Sequence, residues 1–189
     1  MNIIKKNYSW RESLENRQKT EYIVLHHRAG CGDVESIHRQ HLDQGFSGIG
    51  YHFYVRKTGE VFKGRPIGTV GAHCKGVNKV SVGVCFEGNF ETEKEMLKAQ
   101  IKAGRALVGY LKMLYPDAQV MRHRDLQATA CPGQNFPFEN IKKGVAEMTA
   151  EEAVEIIQAK SGLEDETIEF LLCYKYGEEL VVKIAEAMV

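Results

Sequence analysis

A chain of 189 residues, 43% apolar and 26% charged, fits one main domain of about 100–150 residues with a small appendage. Lys+Arg and Asp+Glu both number 25, a formal net charge of zero, which argues against a dominant nucleic-acid footprint because that needs a basic excess or stripe. Five widely spaced cysteines, Cys31, Cys74, Cys85, Cys131 and Cys173, do not read as a disulfide framework and suit a reducing compartment.

Residues 1–19 are mixed and polar, with Trp10 and Leu14 as docking points, and are expected to form a short arm with one helical turn. The stretch lacks the apolar core of a secretory signal, so synthesis in the cytoplasm without a signal peptide is expected. No run approaches about 18 consecutive apolar residues, so no membrane span is expected. Tyr22 to Leu25 is apolar and rich in β-formers, a buried strand ending in His26-His27. Asp33 is the N-cap of a helix through Ile37, His41 and Leu42 that stops at Gly45.

Tyr51 to Arg56 and Val61 to Arg65 flank the turn signal Lys57-Thr58-Gly59-Glu60 and read as paired strands. Val80 to Phe86 is a further apolar strand. Thr92 with Glu95 forms a capping box, which opens a helix with apolar positions from Met96 to Leu114. Pro116 ends it. Ala118 to Met121 is a short strand carrying His123 just past its end, and Phe136 to Met148 contains another short helix.

Residues 149–189 change character, with no histidine, no proline and no strand signal. Thr149 with Glu152 is a second capping box. Ala153, Ile156 and Ile157, then Ile168, Leu171 and Leu172, then Leu180, Val181, Ile184 and Met188 mark three short amphipathic helices, with Gly162 as a stop. The expected class is α/β: a central mixed β-sheet flanked by helices, followed by a small all-helical segment. The expected division is an arm at 1–19, a catalytic domain at 20–148 and a helical domain at 149–189.

His123 and Cys131 stand eight residues apart, and the His26-His27 pair lies nearly a hundred residues upstream. Imidazole nitrogen and thiolate sulfur are ligands that zinc prefers, and three protein ligands is the count of a catalytic site with an open fourth position. Successive side chains on a strand point to opposite faces, so only one of the two histidines can readily join such a site. Two other readings stand beside this one. Asp125 could orient an imidazole, or Cys131 could be a buried cysteine and His123 a surface histidine.

The blocks Tyr22–His27, Gly50-Tyr51-His52-Phe53, Gly71-Ala72-His73, Ser81-Val82-Gly83-Val84, His123-Arg124-Asp125 and Ala130-Cys131-Pro132-Gly133 resemble zinc-dependent N-acetylmuramoyl-L-alanine amidases. These include the phage lysozyme-type enzymes, and their fold is shared by animal peptidoglycan recognition proteins. The resemblance covers residues 20–147. It implies a Zn2+ held by His26, His123 and Cys131, with Tyr51 and Thr129 catalytic and His73 and Asn78 binding substrate. It implies hydrolysis of the amide between N-acetylmuramic acid and L-alanine of bacterial peptidoglycan, by a phage or prophage endolysin that reaches the wall after release through a holin. Thr129 stands where many phage members carry a lysine. Cys85 stands where a wall-recycling branch has a glutamate, with Glu87 two residues on. The alternative of the same fold is a peptidoglycan-binding or polymerase-regulating protein without a dominant lytic role; the usual sign of the binding-only members is replacement of the cysteine ligand. The acidic C-terminal segment is expected to bind cell wall or to make a homo-oligomer.

Overall fold

The computed structural model describes residues 2–144 and 150–188, with side chains in the second segment from 153 to 185. It divides into two compact units, one ending at Gly144 and one beginning at Val145.

In the first unit the chain runs through β1 (Ile3–Lys5), β2 (Tyr22–His27), α1 (Val34–Asp43), β3 (Phe53–Val55), β4 (Val61–Lys63), β5 (Ser81–Phe86), α2 (Lys98–Leu114), β6 (Gln119–Arg122), α3 (His123–Leu126) and α4 (Phe138–Lys142). One six-stranded sheet has the order β1-β4-β3-β5-β2-β6. β3 and β4 pair antiparallel, and the other neighbours pair parallel. The mixed sheet is the one expected.

β2 and β5 are adjacent interior strands, buried along almost their whole length, because helices cover both faces of a parallel sheet. Alternation assigns the faces. Ile23, Leu25, Val82, Val84 and Phe86 pack with Leu107 and Leu111 of α2 and Ile141 of α4. Tyr54 and Cys85 pack with Val34 and Ile37 of α1. Each such side chain contributes about 1.5–3 kcal/mol by leaving water. The same phase turns His26 toward the α1 face and His27 toward the other. α1 is capped as expected: Asp33 Oδ1 accepts from Ser36 N at 2.7 Å.

Two expectations are corrected. Among its described residues the N-terminal arm has no helical turn. Ile3–Lys5 pairs in parallel with Val61–Lys63 and extends the sheet. Pairing on an open strand edge satisfies backbone groups, whereas a single isolated helical turn is costly to nucleate. Trp10 then packs with Tyr8 in the α1-side cluster, so residues 1–19 belong to the first unit. The Thr92–Glu95 capping box does not form either. α2 starts at Lys98, behind Leu97, with no side-chain cap. Thr92 Oγ1 instead donates to Asn89 O at 3.3 Å. A local hydroxyl-to-backbone bond has won over helix initiation.

In the second unit, α5 (Ala150–Ser161), α6 (Asp165–Leu172) and α7 (Gly177–Met188) enclose Ala153, Ile157, Ile168, Val181 and Ala185, all buried. Gly162 ends α5 at φ +68°, a left-handed conformation that favours glycine. Thr149 and the side chains of Glu152 and Met188 lie outside the described residues. Among the described residues, no helix is long and apolar enough to cross a membrane.

Glu87, just past β5, is 5% exposed. Its carboxylate accepts from Gly32 N at 3.2 Å, Lys57 N at 3.0 Å and Arg56 Nε at 3.4 Å. It therefore ties the loop after β2 to the β3–β4 turn. Burial acts to raise its pKa, but the two amide bonds and Arg56 prevail and hold it below the usual 4.5. Glu87→Gln is expected to cost about 1–3 kcal/mol at neutral pH, read as a shift in the urea midpoint. A depressed folded-state pKa stabilises above the unfolded value and loses that effect as pH falls through the folded one. Wild type and variant should therefore converge in stability as pH drops well below 4.5. A gap that persists there would assign the loss to packing.

Candidate metal centre

The chain has seven histidines, and hydrogen bonding sorts them. His27, His38, His41 and His52 each accept a backbone N–H at Nδ1, from Phe90, Ile49, Gly50 and Gly83, at 2.9–3.2 Å. An amide has only a proton to give, so those lone pairs are spent. His38 and His52 donate their other nitrogens to Ser9 O and Thr69 O. These four rings hold the fold together. His26, His73 and His123 remain.

His26 is at the C-terminal end of β2, 1% exposed. His123 opens α3 directly after β6. β2 and β6 are neighbours with Leu25 opposite Arg122, so the two strand ends bring the rings side by side, with centroids 4.5 Å apart. The loop after α3 folds back, with Arg124 N donating to Cys131 O at 2.9 Å. Cys131 Sγ thereby comes to 3.8 Å from His26 Nδ1, and the His27 amide donates to it at 3.4 Å. Gly133, at φ +102°, presses the following turn onto another backbone. A Cβ there would lie 2.3 Å from the Phe90 carbonyl carbon. The candidate ligand atoms of His26, His123 and Cys131 all lie within 4.8 Å of one another.

All three groups are held neutral. Burial, then His123 and His27, pushes the His26 imidazole well below its ordinary pKa. Burial lowers that of His123 and lifts the Cys131 thiol to about 11. Two bare imidazoles suit a divalent cation, and the charge of such a cation favours thiolate where burial alone favours thiol. Two nitrogens and one sulfur are a zinc donor set, so the residues fit that metal.

Tyr51, between Gly50 and β3, has its ring 5.2 Å from that of His26, and its hydroxyl adjoins the Cys85 thiol. Burial, with Cys85 and Cys131, raises its pKa well above the ordinary value, so it remains a hydrogen-bond donor. Thr129 is exposed, and its Oγ1 accepts from Cys131 N at 3.3 Å. His73 is 8% exposed, with Nδ1 3.0 Å from His26 Nε2 and Nε2 3.3 Å from Ser81 Oγ. Asn78 shapes that loop: its Oδ1 accepts from His73 N and Cys74 N, both at 2.9 Å.

Asp125 does not orient an imidazole. Its oxygens take Arg122 N and Nε at 2.9–3.0 Å, because the chain bends there and closes a capping box. The partner of His123 Nε2 is Gln127 Oε1, at 3.2 Å. Gln127 is absent from the sequence-derived set, although its place four residues after His123 was a usable signal on a helical turn. Ser81 carried no comparable signal. Glu87 is committed to its loop bonds and does not line the centre.

A family model described as N-acetylmuramoyl-L-alanine amidase matches residues 16–134. The endolysin of Klebsiella phage KP32 is 39% identical over 124 residues, covering 61% of this chain and 82% of that protein. Peptidoglycan-recognition protein SC2 of Drosophila melanogaster is 32% identical, covering 61% and 69%. Among solved structures, the N-acetylmuramoyl-L-alanine amidase LysC from Clostridium intestinale URNW superposes with a TM-score of 0.73 at 40% identity, covering 75% of this chain and 95% of that one. The matched segment contains every strand but β1 and all three converging side chains, and the chain belongs to the N-acetylmuramoyl-L-alanine amidase family.

Proposed function

We propose that this amidase cleaves the bond between the lactyl group of N-acetylmuramic acid and L-alanine using a zinc ion held by His26, His123 and Cys131. The observation that carries the assignment is the convergence of these groups, from β2, α3 and the loop after α3, within 4.8 Å. When bound, zinc brings the pKa of a water from 15.7 toward about 7 and polarises a carbonyl. The chain's own groups do the rest. Buried neutral imidazoles offer lone pairs without first releasing protons. Tyr51, kept as a phenol, donates a hydrogen bond to the scissile carbonyl oxygen as negative charge develops, often the largest catalytic contribution. Thr129 uses its oxygen on Cys131 N, so its hydroxyl proton is available to the same oxygen. Asn78, whose Oδ1 is held by the His73 and Cys74 amides, offers its Nδ2 to the substrate.

The substrate is bacterial peptidoglycan, and cleavage detaches stem peptides from glycan. The role is that of a phage or prophage endolysin, which reaches the wall after release through a membrane pore; similarity to phage endolysins supports this. A binding-only role is disfavoured by the retention of Cys131 beside both histidines. The helical segment is assigned to wall attachment or self-association, supported by its exposed Phe170, Tyr174 and Tyr176.

Incubated with purified peptidoglycan, wild type is expected to release new N-terminal alanine without new reducing ends. A chelator and Cys131→Ser should each abolish the release, and zinc should restore the chelated wild type. No release from several wall types by zinc-loaded protein would overturn the lytic assignment. Tyr51→Phe is expected to lower kcat by about 10²–10³-fold while zinc content is unchanged. An unaltered kcat would remove the phenol from the chemistry.

A further inference from the structure

A neutral imidazole carries one N–H, and the nitrogen that bears it cannot hold a metal. Which nitrogen is bare must therefore be set by neighbours. For His26 the neighbours form a chain: His26 Nε2 to His73 Nδ1 at 3.0 Å, His73 Nε2 to Ser81 Oγ at 3.3 Å, and Ser81 Oγ to Val77 O at 2.7 Å. The last member decides the direction. A carbonyl has no proton to give, so Ser81 must donate to Val77 O. His73 Nε2–H then donates to Ser81, and His73 Nδ1 accepts from His26 Nε2–H. The reverse direction would leave a proton on His26 Nδ1, the atom that faces Cys131 Sγ.

His123 repeats the arrangement. Gln127 Nε2 donates to Lys75 O at 2.6 Å, which orients the amide. Gln127 Oε1 then faces His123 Nε2 and accepts from it at 3.2 Å, and Nδ1 is left bare. Both chains end on carbonyls of one short loop, Lys75 and Val77. The fold also clears a slot for the His73 ring: a Cβ on Gly83 would lie 2.5 Å from its Cγ, and one on Gly71 2.5 Å from its Cδ2.

We infer that the loop from His73 to Ser81 sets the tautomers of both histidines, with His73 and Gln127 as positioning residues that leave each Nδ1 free for the metal. This rests on His26 and His123 being ligands. Partners of this kind typically change metal affinity by about 10–100-fold. Their role differs from filling space, because it is polar and directional.

The test has two arms. Zinc affinity is measured by competition with a chromophoric chelator for wild type, His73→Phe, Gln127→Leu and Gln127→Glu, with circular dichroism confirming the fold of each. His73→Phe and Gln127→Leu should weaken zinc about 10–100-fold, and Gln127→Glu, which keeps an acceptor for His123 Nε2–H, should bind zinc more tightly than Gln127→Leu. In parallel, long-range 15N–1H correlations of metal-free wild type should show His26 and His123 protonated at Nε2. Folded His73→Phe and Gln127→Leu that bind zinc like wild type, or an Nδ1–H tautomer at either histidine, would overturn the inference. If wild type takes up no zinc, the ligand assignment fails separately, and the tautomers alone decide this one.

Discussion

The parallel pairing of β2 with β5 on one side and β6 on the other is the constraint on which everything else depends. It fixes three strand ends in one plane, with His26 opposite Cys85 and Leu25 opposite Arg122. Parallel strands deliver their C-terminal ends to one edge of the sheet, where α/β folds gather their chemistry. A slip of one residue in β2 would exchange His26 for His27 on the α1 face, because strand side chains alternate. The apolar residues Ile23 and Leu25, locked into the α2 side, prevent that slip.

Burial then defines the character of the centre. It keeps His26, His123 and Cys131 neutral and Tyr51 a phenol, for the same reason in each case: a charge in a low-dielectric site is disfavoured. Neutral donors that face one another form a poor structural core, since they make few bonds among themselves. They form a good receptacle for a cation. The surrounding polar groups are tied up elsewhere, with Glu87 on Gly32, Lys57 and Arg56, and Asp125 on Arg122. No carboxylate therefore competes inside the centre among the described residues.

The loop from Gly71 to Ser81 links this chemistry to the sheet. Asn78 shapes it through the His73 and Cys74 amides, and the 3-10 turn of Asn78–Val80 leads directly into β5. The same segment that leads into β5 thus supplies the carbonyls that end both hydrogen-bond chains. Packing and polarity are coupled there, because the His73 ring occupies space that only glycines at 71 and 83 leave open.

Much was determined by the sequence alone. The apolar runs of β2 and β5, the Lys-Thr-Gly-Glu turn, the Asp33 cap and the three amphipathic stripes of the C-terminal unit are local patterns. Each emerged because neighbours along the chain sufficed to decide it. The spacing of His26, His123 and Cys131 with the glycine-rich blocks around Tyr51 and His73 was enough to reveal the family. Tertiary structure decided the rest. β1 required an edge that β4 supplies from far along the chain. The histidines that stabilise the fold could be told from those that face the centre only once their amide partners, 9 to 63 residues away, had been brought beside them. A side chain's residue type sets what it can bond, and the fold sets which of those bonds remain to be made.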